Sequence, residues 1–575
     1  MPSARVPVAP SRRLLRSLAV ASALACSAVV SAVLPGAVAS AAEADTVLGE
    51  LVQAVPDREH AGGGDHEDSG PLAWVESADG DAVRVPAEDV AGIPAGSTVE
   101  LTVGAQVEDP ARAEDGIEPA RAVLASDVID VPEPVAPRPD AAGLTNQVTV
   151  VLVTPGGAAR DGVTEQQLVS VVDGPVADFW SEQTGGAVRI GVTASHGWIS
   201  TAAGCSNPAA LWNEVAGSVG FAPGPGRHLL LHVSRAAKDC SYALAEVGAA
   251  TSTGGRMYVR DTIPSVIAHE FGHNFGLGHS SGRQCDGAIE TGNCRTSSYR
   301  DFYDVMGFSW GQLGALNAAQ AARLGVLPAP QQQALTTRGS AVSLTLAPLS
   351  GTGGTRALRL TDADGVDYWL EYRTGTGRDA WLDAPTNAYG LQAGVLLRRA
   401  GGLPDTSVLL DGTPTPAEGW DADLQAALPV GSTVPVAGGD FTVLVRSAST
   451  AGAVVDVVPS GAPPVASPQP VGPGAVPGTV MSGTVMSGAG AGAGGGAGAG
   501  AGGGPGAPAA PAAEEAAPAP HMPPAPGTAS PRSAAPSIAA ATRTTTGGWV
   551  APAVGALLGG VALCAIRLAR RPSGH

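Results

Sequence analysis

The sequence is poor in positive charge. Only 33 of its 575 residues are lysine or arginine, Lys238 is the single lysine, and the formal net charge is −19 at pH 7. A nucleic-acid partner needs concentrated positive charge, and the body of the chain has no basic cluster. The composition therefore argues against nucleic-acid binding and favours an acidic, exported protein.

Cysteine is also scarce, and no two cysteines have the short C-x-x-C spacing of cysteine-based zinc sites. Four cysteines lie between the two ends of the chain: Cys205, Cys240, Cys285 and Cys294. An even number in an oxidising compartment predicts two disulfides. We favour Cys205 with Cys240 and Cys285 with Cys294, because each pair closes a local loop.

The N-terminus has the pattern of an export signal. Residues 1–41 contain four arginines, then an apolar run, then small residues before an acidic stretch. This order is typical of a secretory signal peptide. The pair Arg12-Arg13 leaves the twin-arginine export route open as an alternative.

The C-terminus has the pattern of a membrane anchor. Residues 544–566 carry no charge, and Arg567, Arg570 and Arg571 follow at once. This predicts a transmembrane helix over 548–566 and a cytoplasmic tail over 567–575. The alternative is a disordered, loosely apolar tail. No LPxTG-like sorting signal is present, so we expect the protein on the outer face of the cell membrane, either anchored there or shed.

Composition divides the exported part into four regions. Residues 42–140 show short alternating runs and end in a proline-rich linker, which predicts a small β domain that is either a pro-segment or a stalk. Residues 141–330 alternate strands with helices, which indicates an α/β domain with a mixed twisted sheet. Residues 331–460 return to short strands, typical of a β-sandwich. Residues 461–547 are rich in Gly, Ala and Pro and predict a disordered tether.

Local patterns place elements within these regions. In the α/β region, 147–153, 188–192 and 228–233 are predicted strands, 164–183 is predicted helical, and Gly255–Val259 is predicted as an edge strand. In the last folded region, the sequence between two strands contains Asp362, Asp364 and Asp367. An Asp-Gly hairpin tip explains these three best, with a Ca²⁺ site as the alternative.

Two histidines four residues apart predict a metal site. His269 and His273 lie on one face of a helix about one turn apart, so both imidazoles can reach a single ion. Pro264 suits the first turn of that helix. Gly276 can adopt the positive φ that ends the helix, so that the chain returns His279 as a third ligand. Three such ligands leave a fourth position of Zn²⁺ open for water and substrate.

Glu270 is the predicted general base. It follows His269 directly and so points beside the metal. Zinc lowers the pKa of a bound water to about 7, and Glu270 would take the proton and deliver it to the leaving amine. A bare HExxH pattern occurs by accident in many proteins, but five fixed positions are far more specific. The alternative is a helix whose histidines only pack or cap.

The full pattern H-E-x-x-H-x-x-G-x-x-H over 269–279, followed by D-V-M-G over 304–307, resembles the metzincin metallopeptidases. The residues within this pattern look most like those of the gametolysin-type peptidases and their bacterial relatives, and the resemblance covers residues 146–330. The resemblance implies a metzincin-like α/β catalytic domain between small β domains, one catalytic Zn²⁺, and extended peptide substrates bound along an edge strand. It also implies structural support from Gly276 and from Met306 in a Met-turn beneath the metal.

The sequence departs from the family at two points. Some metzincins have a tyrosine two residues after the Met-turn methionine, but here that residue is Phe308, which leaves Tyr299 and Tyr303 as candidates for its role. Matrixin pro-segments block zinc with a cysteine, but residues 42–204 contain none. That latency device is therefore absent.

The expected function is hydrolysis of peptide bonds in extracellular proteins by a monomeric, membrane-tethered zinc endopeptidase. Two alternatives stay open: a surface adhesin with a structural or inactive zinc site, and a zinc hydrolase of non-peptide amides such as wall cross-links. Asn274 either supports the helix end or fills space. The remaining histidines of the exported part lack ligand spacing and are expected on the surface or in the core: His60, His66, His196, His228 and His232.

Overall fold

The computed structural model describes residues 44–58, 70–111, 116–133, 139–309 and 311–462. The predicted signal peptide, nearly all of the tether and the predicted transmembrane helix with its tail lie outside these ranges. Within them, no helix is long and apolar enough to cross a membrane. The described chain is mixed α/β, with three sheets and a few short helices.

The first sheet has ten strands. They are β1 (Asp45–Asp57), β2 (Leu72–Glu76), β3 (Ala82–Val85), β4 (Thr98–Val107), β5 (Ala120–Asp130), β6 (Asn146–Pro155), β7 (Ile190–Thr201), β8 (Arg227–Val233), β9 (Ala243–Glu246) and β10 (Gly255–Val259). The order is β3-β2-β1-β9-β10-β8-β6-β7, with β4 beside β1 and β5 beside β4. Strands β6, β7, β8 and β10 are parallel, whereas β9 and β1 are antiparallel to their neighbours. The N-terminal strands thus continue the sheet of the α/β region.

The predicted edge strand is not at an edge. Gly255–Val259 does form β10, but β10 lies between β8 and β9, so the edge assignment is wrong. The sequence did not indicate β9, because four residues are too short for a readable alternation. The outer side of β9 is paired with β1.

Four helices pack on the two faces of this sheet: α1 (Glu165–Val171), α2 (Ala177–Gln183), α3 (Pro208–Val219) and α4 (Pro264–Asn274). A fifth, α5 (Ala318–Arg323), packs against strands of the second sheet, which is described below. A π-helical turn, Val172–Val176, joins α1 to α2 at a proline, so the predicted helix 164–183 is confirmed with one interruption. Short 3₁₀ turns lie at Ala87–Val90, Ala329–Gln331, Gly377–Asp383, Ala417–Gly419 and Ala437–Gly439.

Two apolar clusters hold these layers together. Phe179 and Trp180 of α2 pack with Phe271 of α4 in the cluster on one face of the sheet. Trp212 of α3 packs in a second cluster with Trp74 of β2. Helix α4 is therefore pressed against the sheet along its whole length, and all eleven of its residues except Pro264 are buried.

The second and third sheets share another core. The second contains β11 (His279–Cys285), β12 (Cys294–Ser297), β13 (Gln332–Thr336), β15 (Ala357–Thr361), β16 (Asp367–Arg373), β17 (Gly394–Ala400) and β18 (Asp405–Leu410). The third contains β14 (Val342–Leu346), β19 (Thr433–Val436), β20 (Phe441–Ser449) and β21 (Gly452–Pro459). Strand β11 joins the second sheet by parallel pairing with β18, so this sheet includes residues on both sides of position 330.

Two local predictions are confirmed by the structure. The disulfides join Cys205 to Cys240 and Cys285 to Cys294. The loop between β15 and β16 is a tight turn, in which Asp362 Oδ1 accepts hydrogen bonds from the N–H groups of Asp364 and Val366 at 2.9 and 2.8 Å. The Asp362 carboxylate therefore fixes the turn, as the hairpin interpretation expects.

Candidate metal centre

Helix α4 presents His269 and His273 with fixed ring orientations. The Nδ1–H of His269 donates to the carbonyl of Val305, and the Nδ1–H of His273 donates to the carbonyl of Leu277, both at 2.8 Å. In each neutral ring the proton is therefore on Nδ1, and the lone pair is on Nε2. The two Nε2 atoms lie only 3.1 Å apart.

The end of α4 redirects the chain toward the third histidine. The Leu277 N–H donates to the Gly272 carbonyl at 3.0 Å and the Gly276 N–H donates to the His273 carbonyl at 2.8 Å, the bond pattern of a Schellman cap. Gly276 has φ +99°, and a Cβ there would lie 2.9 Å from the carbonyl oxygen of Gly248. Glycine is thus required at this position on both conformational and steric grounds.

His279 begins β11 and reaches the same point from a different sheet. Its ring centroid lies 5.1 Å from that of His273 and 5.5 Å from that of His269. Its N–H donates to the Pro404 carbonyl at 2.7 Å, which ties the start of β11 to the segment before β18. The structure therefore brings together the three histidines that the sequence singled out.

A fourth ligand-type side chain, Asp57, joins them from the end of β1. Its Oδ1 lies 3.0 Å from His279 Nε2, and its Oδ2 lies 3.4 Å from His269 Nε2. One ligand atom from each of these four buried residues lies within 4.8 Å of the other three. The sequence analysis missed Asp57, which precedes His279 by 222 residues and carries no motif of its own.

The arrangement of these atoms fits a bound cation. Two nitrogen lone pairs and a carboxylate are directed at one buried volume, and electron-rich groups so close repel one another unless a positive charge lies between them. Imidazole nitrogens with a carboxylate oxygen are a donor set that suits Zn²⁺. Among the residues that the structure describes, no other group of three or more such side chains comes as close.

Glu270 lies next to this group, and its carboxyl is within hydrogen-bonding reach of the Asp57 carboxyl. Both carboxylate oxygens are buried, and no N–H donor among the described residues reaches them. Burial raises the pKa of Glu270, and the negative charge of Asp57 raises it further. Burial also opposes ionisation of Asp57, but His269 and His279 outweigh it and hold the pKa of Asp57 well below its usual value.

Met306 packs beneath the helix. It is fully buried, and a Cβ on Gly272 of α4 would lie 2.2 Å from its Sδ. The turn that carries it is fixed by Asp304, whose Oδ1 accepts from the Met306 N–H at 2.7 Å and whose Oδ2 accepts from the Asn317 N–H at 2.6 Å. This same turn supplies the Val305 carbonyl that orients His269.

The two candidate tyrosines have different surroundings. The Tyr299 hydroxyl donates to Asp57 Oδ1 at 2.6 Å, and its ring centroid lies 4.0 Å from that of His279. The Tyr303 hydroxyl donates to the Gln392 carbonyl, away from the metal centre. Phe308 packs against Phe302. Only Tyr299 is therefore placed to act at the centre.

Asn274 and His228 brace the helix rather than fill space. The Asn274 amide donates to the Glu246 carbonyl of β9 at 2.8 Å, and its Oδ1 lies 2.9 Å from His228 Nδ1. His228 is in the core, as is His232, which lies 3.0 Å from Asp161. His196 is partly exposed on β7. His60 and His66 lie outside the described residues.

A small cavity of about 20 Å³ opens beside the four-residue group. Its lining combines helix, Met-turn and β9-flanking residues with two members of the centre: Asp57, Arg58, Tyr242, Ser265, Val266, His269, Tyr299, Val305, Gly307 and Ser309. The cavity has room for about one water molecule.

No family model and no curated protein matches this sequence. Among solved structures, a metalloproteinase-II from Bacteroides fragilis is similar at 10% identity over 45% of this chain and 76% of that one, with a TM-score of 0.21. A chaperone–substrate complex is similar at 12% identity and a TM-score of 0.17, and the match covers 36% of this chain and only 30% of that chain.

Proposed function

We propose that the protein is a zinc metalloendopeptidase that hydrolyses peptide bonds of extracellular proteins. One observation carries the proposal: three imidazoles converge on a single point beside a buried carboxylate that is not one of the ligands. A structural zinc site needs no carboxylate beside its ligands, whereas a hydrolytic site needs a base beside the metal.

His269, His273 and His279 would hold the ion. When bound, Zn²⁺ supplies Lewis acidity, which makes water a stronger acid and polarises a carbonyl oxygen. The carbonyls of Val305 and Leu277 keep the two helix imidazoles in the tautomer that leaves Nε2 available to the metal. These backbone contacts also fix the ring planes, so the site needs little rearrangement to bind an ion.

Glu270 would move the proton. No N–H donor of the described chain reaches its oxygens, and its carboxyl pairs with that of Asp57, so release of Asp57 would make its lone pairs available to an attacking water. The carboxylate would accept the proton of that water and pass it to the nitrogen of the departing amine. This role accounts for a buried carboxyl that no N–H group of the described chain stabilises.

The surroundings favour an extended peptide as substrate. Strand β9 borders the site and pairs with an extended segment, residues 54–57, which shows that its outer side accepts a strand. Export by the predicted signal peptide and anchoring by the predicted helix 548–566 would place this site, in a monomeric chain, outside the cell.

Zinc content and proteolysis by the full-length chain test the proposal. We expect elemental analysis to find zinc. We also expect the chain, assayed before and after its own limited digestion, to cleave a denatured protein, and a chelator to abolish this cleavage. Glu270→Gln should keep the zinc and lose about 10²–10⁴-fold in rate, the usual contribution of a general base. Glu88 is an exposed glutamate on a 3₁₀ turn, so Glu88→Gln is the matched control and should change neither the zinc content nor the rate of cleavage.

Two results would count against it. Undiminished cleavage by Glu270→Gln would remove the assigned base. A chain that binds zinc but cleaves no denatured protein in either form would favour the adhesin alternative, and release of amide-linked wall fragments in place of peptides would favour the non-peptide hydrolase.

A further inference from the structure

The end of β1 covers the outer side of β9. Residues 54–57 pair antiparallel with β9, so that Asp57 lies opposite Ala243. Main-chain bonds bracket the pairing: the Tyr242 N–H donates to the Asp57 carbonyl at 2.8 Å and the Val247 N–H donates to the Gln53 carbonyl at 2.7 Å. This N-terminal strand therefore uses the side of β9 that an extended substrate would need.

The same strand delivers a carboxylate to the metal centre. Both oxygens of Asp57 face the histidines, at 3.0 Å from His279 Nε2 and 3.4 Å from His269 Nε2. The Tyr299 hydroxyl holds Oδ1 at 2.6 Å. A carboxylate so directed would take the position that a catalytic zinc site leaves for water.

The contact is part of a larger docked surface. Arg256 of β10 is largely buried and bridges Glu76 of β2 at 2.6 Å and Glu246 of β9 at 2.5 Å. The rings of Trp74 and Trp212 meet edge to face with centroids 6.4 Å apart. These ion pairs and ring contacts join strands β1–β5 to the α/β layer. Asp57 is therefore held in place by the packing of the whole N-terminal region.

We propose that Asp57 is a fourth ligand of the metal and that β1 keeps the enzyme latent until the N-terminal strands are displaced. The inference rests on the proposed function, because latency has meaning only for a hydrolytic site. Strand β1 then blocks two things at once: the coordination position that water must take and the side of β9 on which a peptide must lie. Displacing it opens both, and no cysteine is required.

Access of a small ligand to the metal tests this without relying on proteolysis. The full-length chain would be loaded with Co²⁺, whose visible spectrum reports its ligands, and titrated with acetohydroxamate. The variants are Asp57→Ala, the isosteric Asp57→Asn, and Asp45→Asn, which makes the same chemical change at the exposed start of β1. Thermal unfolding of each variant establishes that it is folded.

A tethered carboxylate competes at an effective concentration on the order of millimolar or above, so Asp57→Ala should lower the apparent Kd for acetohydroxamate by at least about tenfold. The apparent Kd of Asp57→Asn should lie between those of Asp57→Ala and the parent, and the apparent Kd of Asp45→Asn should equal that of the parent. Equal Kd values for the parent and both folded Asp57 variants would overturn the proposal. Opened access without proteolysis is expected of Asp57→Ala while β1 still covers β9; if proteolysis is also absent after the N-terminal strands are removed, Asp57 remains the ligand but the peptidase assignment is refuted.

Discussion

The main-chain N–H of His279 donates a hydrogen bond to the carbonyl oxygen of Pro404, 2.7 Å away. Through this bond and the parallel pairing of β11 with β18, the third histidine is positioned by residues far beyond the helix that carries the first two. The metal centre thus depends on the second sheet for its geometry. A chain that keeps the motif but loses this sheet should keep two histidines in place and release the third.

Gly278→Ala should weaken metal binding without touching a ligand. A Cβ at this position would lie 2.2 Å from the Pro404 oxygen, which is backbone and cannot turn aside. The start of β11 must then shift, at a typical cost of about 1–3 kcal/mol for overpacking. Zinc loss to a competing chelator should be faster than in the parent. Gly217→Ala, where a Cβ meets open space, is the control, and equal zinc retention by the two variants would contradict the role given to this contact.

Tyr299→Phe should loosen the blocking carboxylate. The variant keeps the ring against His279 but loses the hydroxyl that donates to Asp57, and hydrogen bonds to charged groups contribute about 1.5–3 kcal/mol. Acetohydroxamate should therefore bind the Co²⁺ protein about tenfold more tightly or better. Tyr303→Phe, whose hydroxyl meets the Gln392 carbonyl, should leave that affinity unchanged. An unchanged affinity in Tyr299→Phe as well would mean that the hydroxyl does not hold Asp57.

The sequence predicts those parts of the metal centre whose positions depend only on nearby residues in the chain. The spacing of His269 and His273 follows from one helical turn, and the turn at Gly276 follows from its freedom to adopt positive φ. Asp57 was beyond prediction because its position follows from pairing between β1 and β9, which are almost 190 residues apart along the chain. The edge assignment of Gly255–Val259 failed because β9, which is too short to be recognised from the sequence, pairs with the outer side of β10 and is itself covered by β1.

Acid should destabilise the protein through His228. Burial lowers its pKa from 6.5 to about 4, against the opposing effect of the hydrogen bond with Asn274, so the folded protein holds this ring neutral. Below pH 6.5 the unfolded chain binds the proton more readily, so the free energy of unfolding falls as the pH drops from 6.5 to 4, by about 3 kcal/mol from this group.

Denaturant unfolding of His228→Gln across that range checks the sign. The variant should start less stable at pH 7, because it disturbs the contact to Asn274, but should lose less stability on acidification. His196→Gln, on the partly exposed part of β7, should keep the steeper dependence of the parent. A His228→Gln slope equal to that of the parent would show that another group carries the effect.

The first residue of the active chain should lie beyond Asp57. As long as β1 remains paired with β9, the carboxylate and the strand both occupy the site, so any chain that turns over substrate must have lost this pairing. N-terminal sequencing of the active and inactive fractions separated by native gel filtration should give different starts. The inactive fraction should begin near residue 42 and the active one after residue 57, with the N-terminal strands no longer co-eluting.

The Glu270→Gln variant shows which protease makes this cut. If its chain still begins near residue 42, the protein cleaves itself; if its chain begins after residue 57, another protease makes the cut. If the active fraction still carries an intact chain that includes Asp57, then β1 is a permanent strand of the fold and not a latency device.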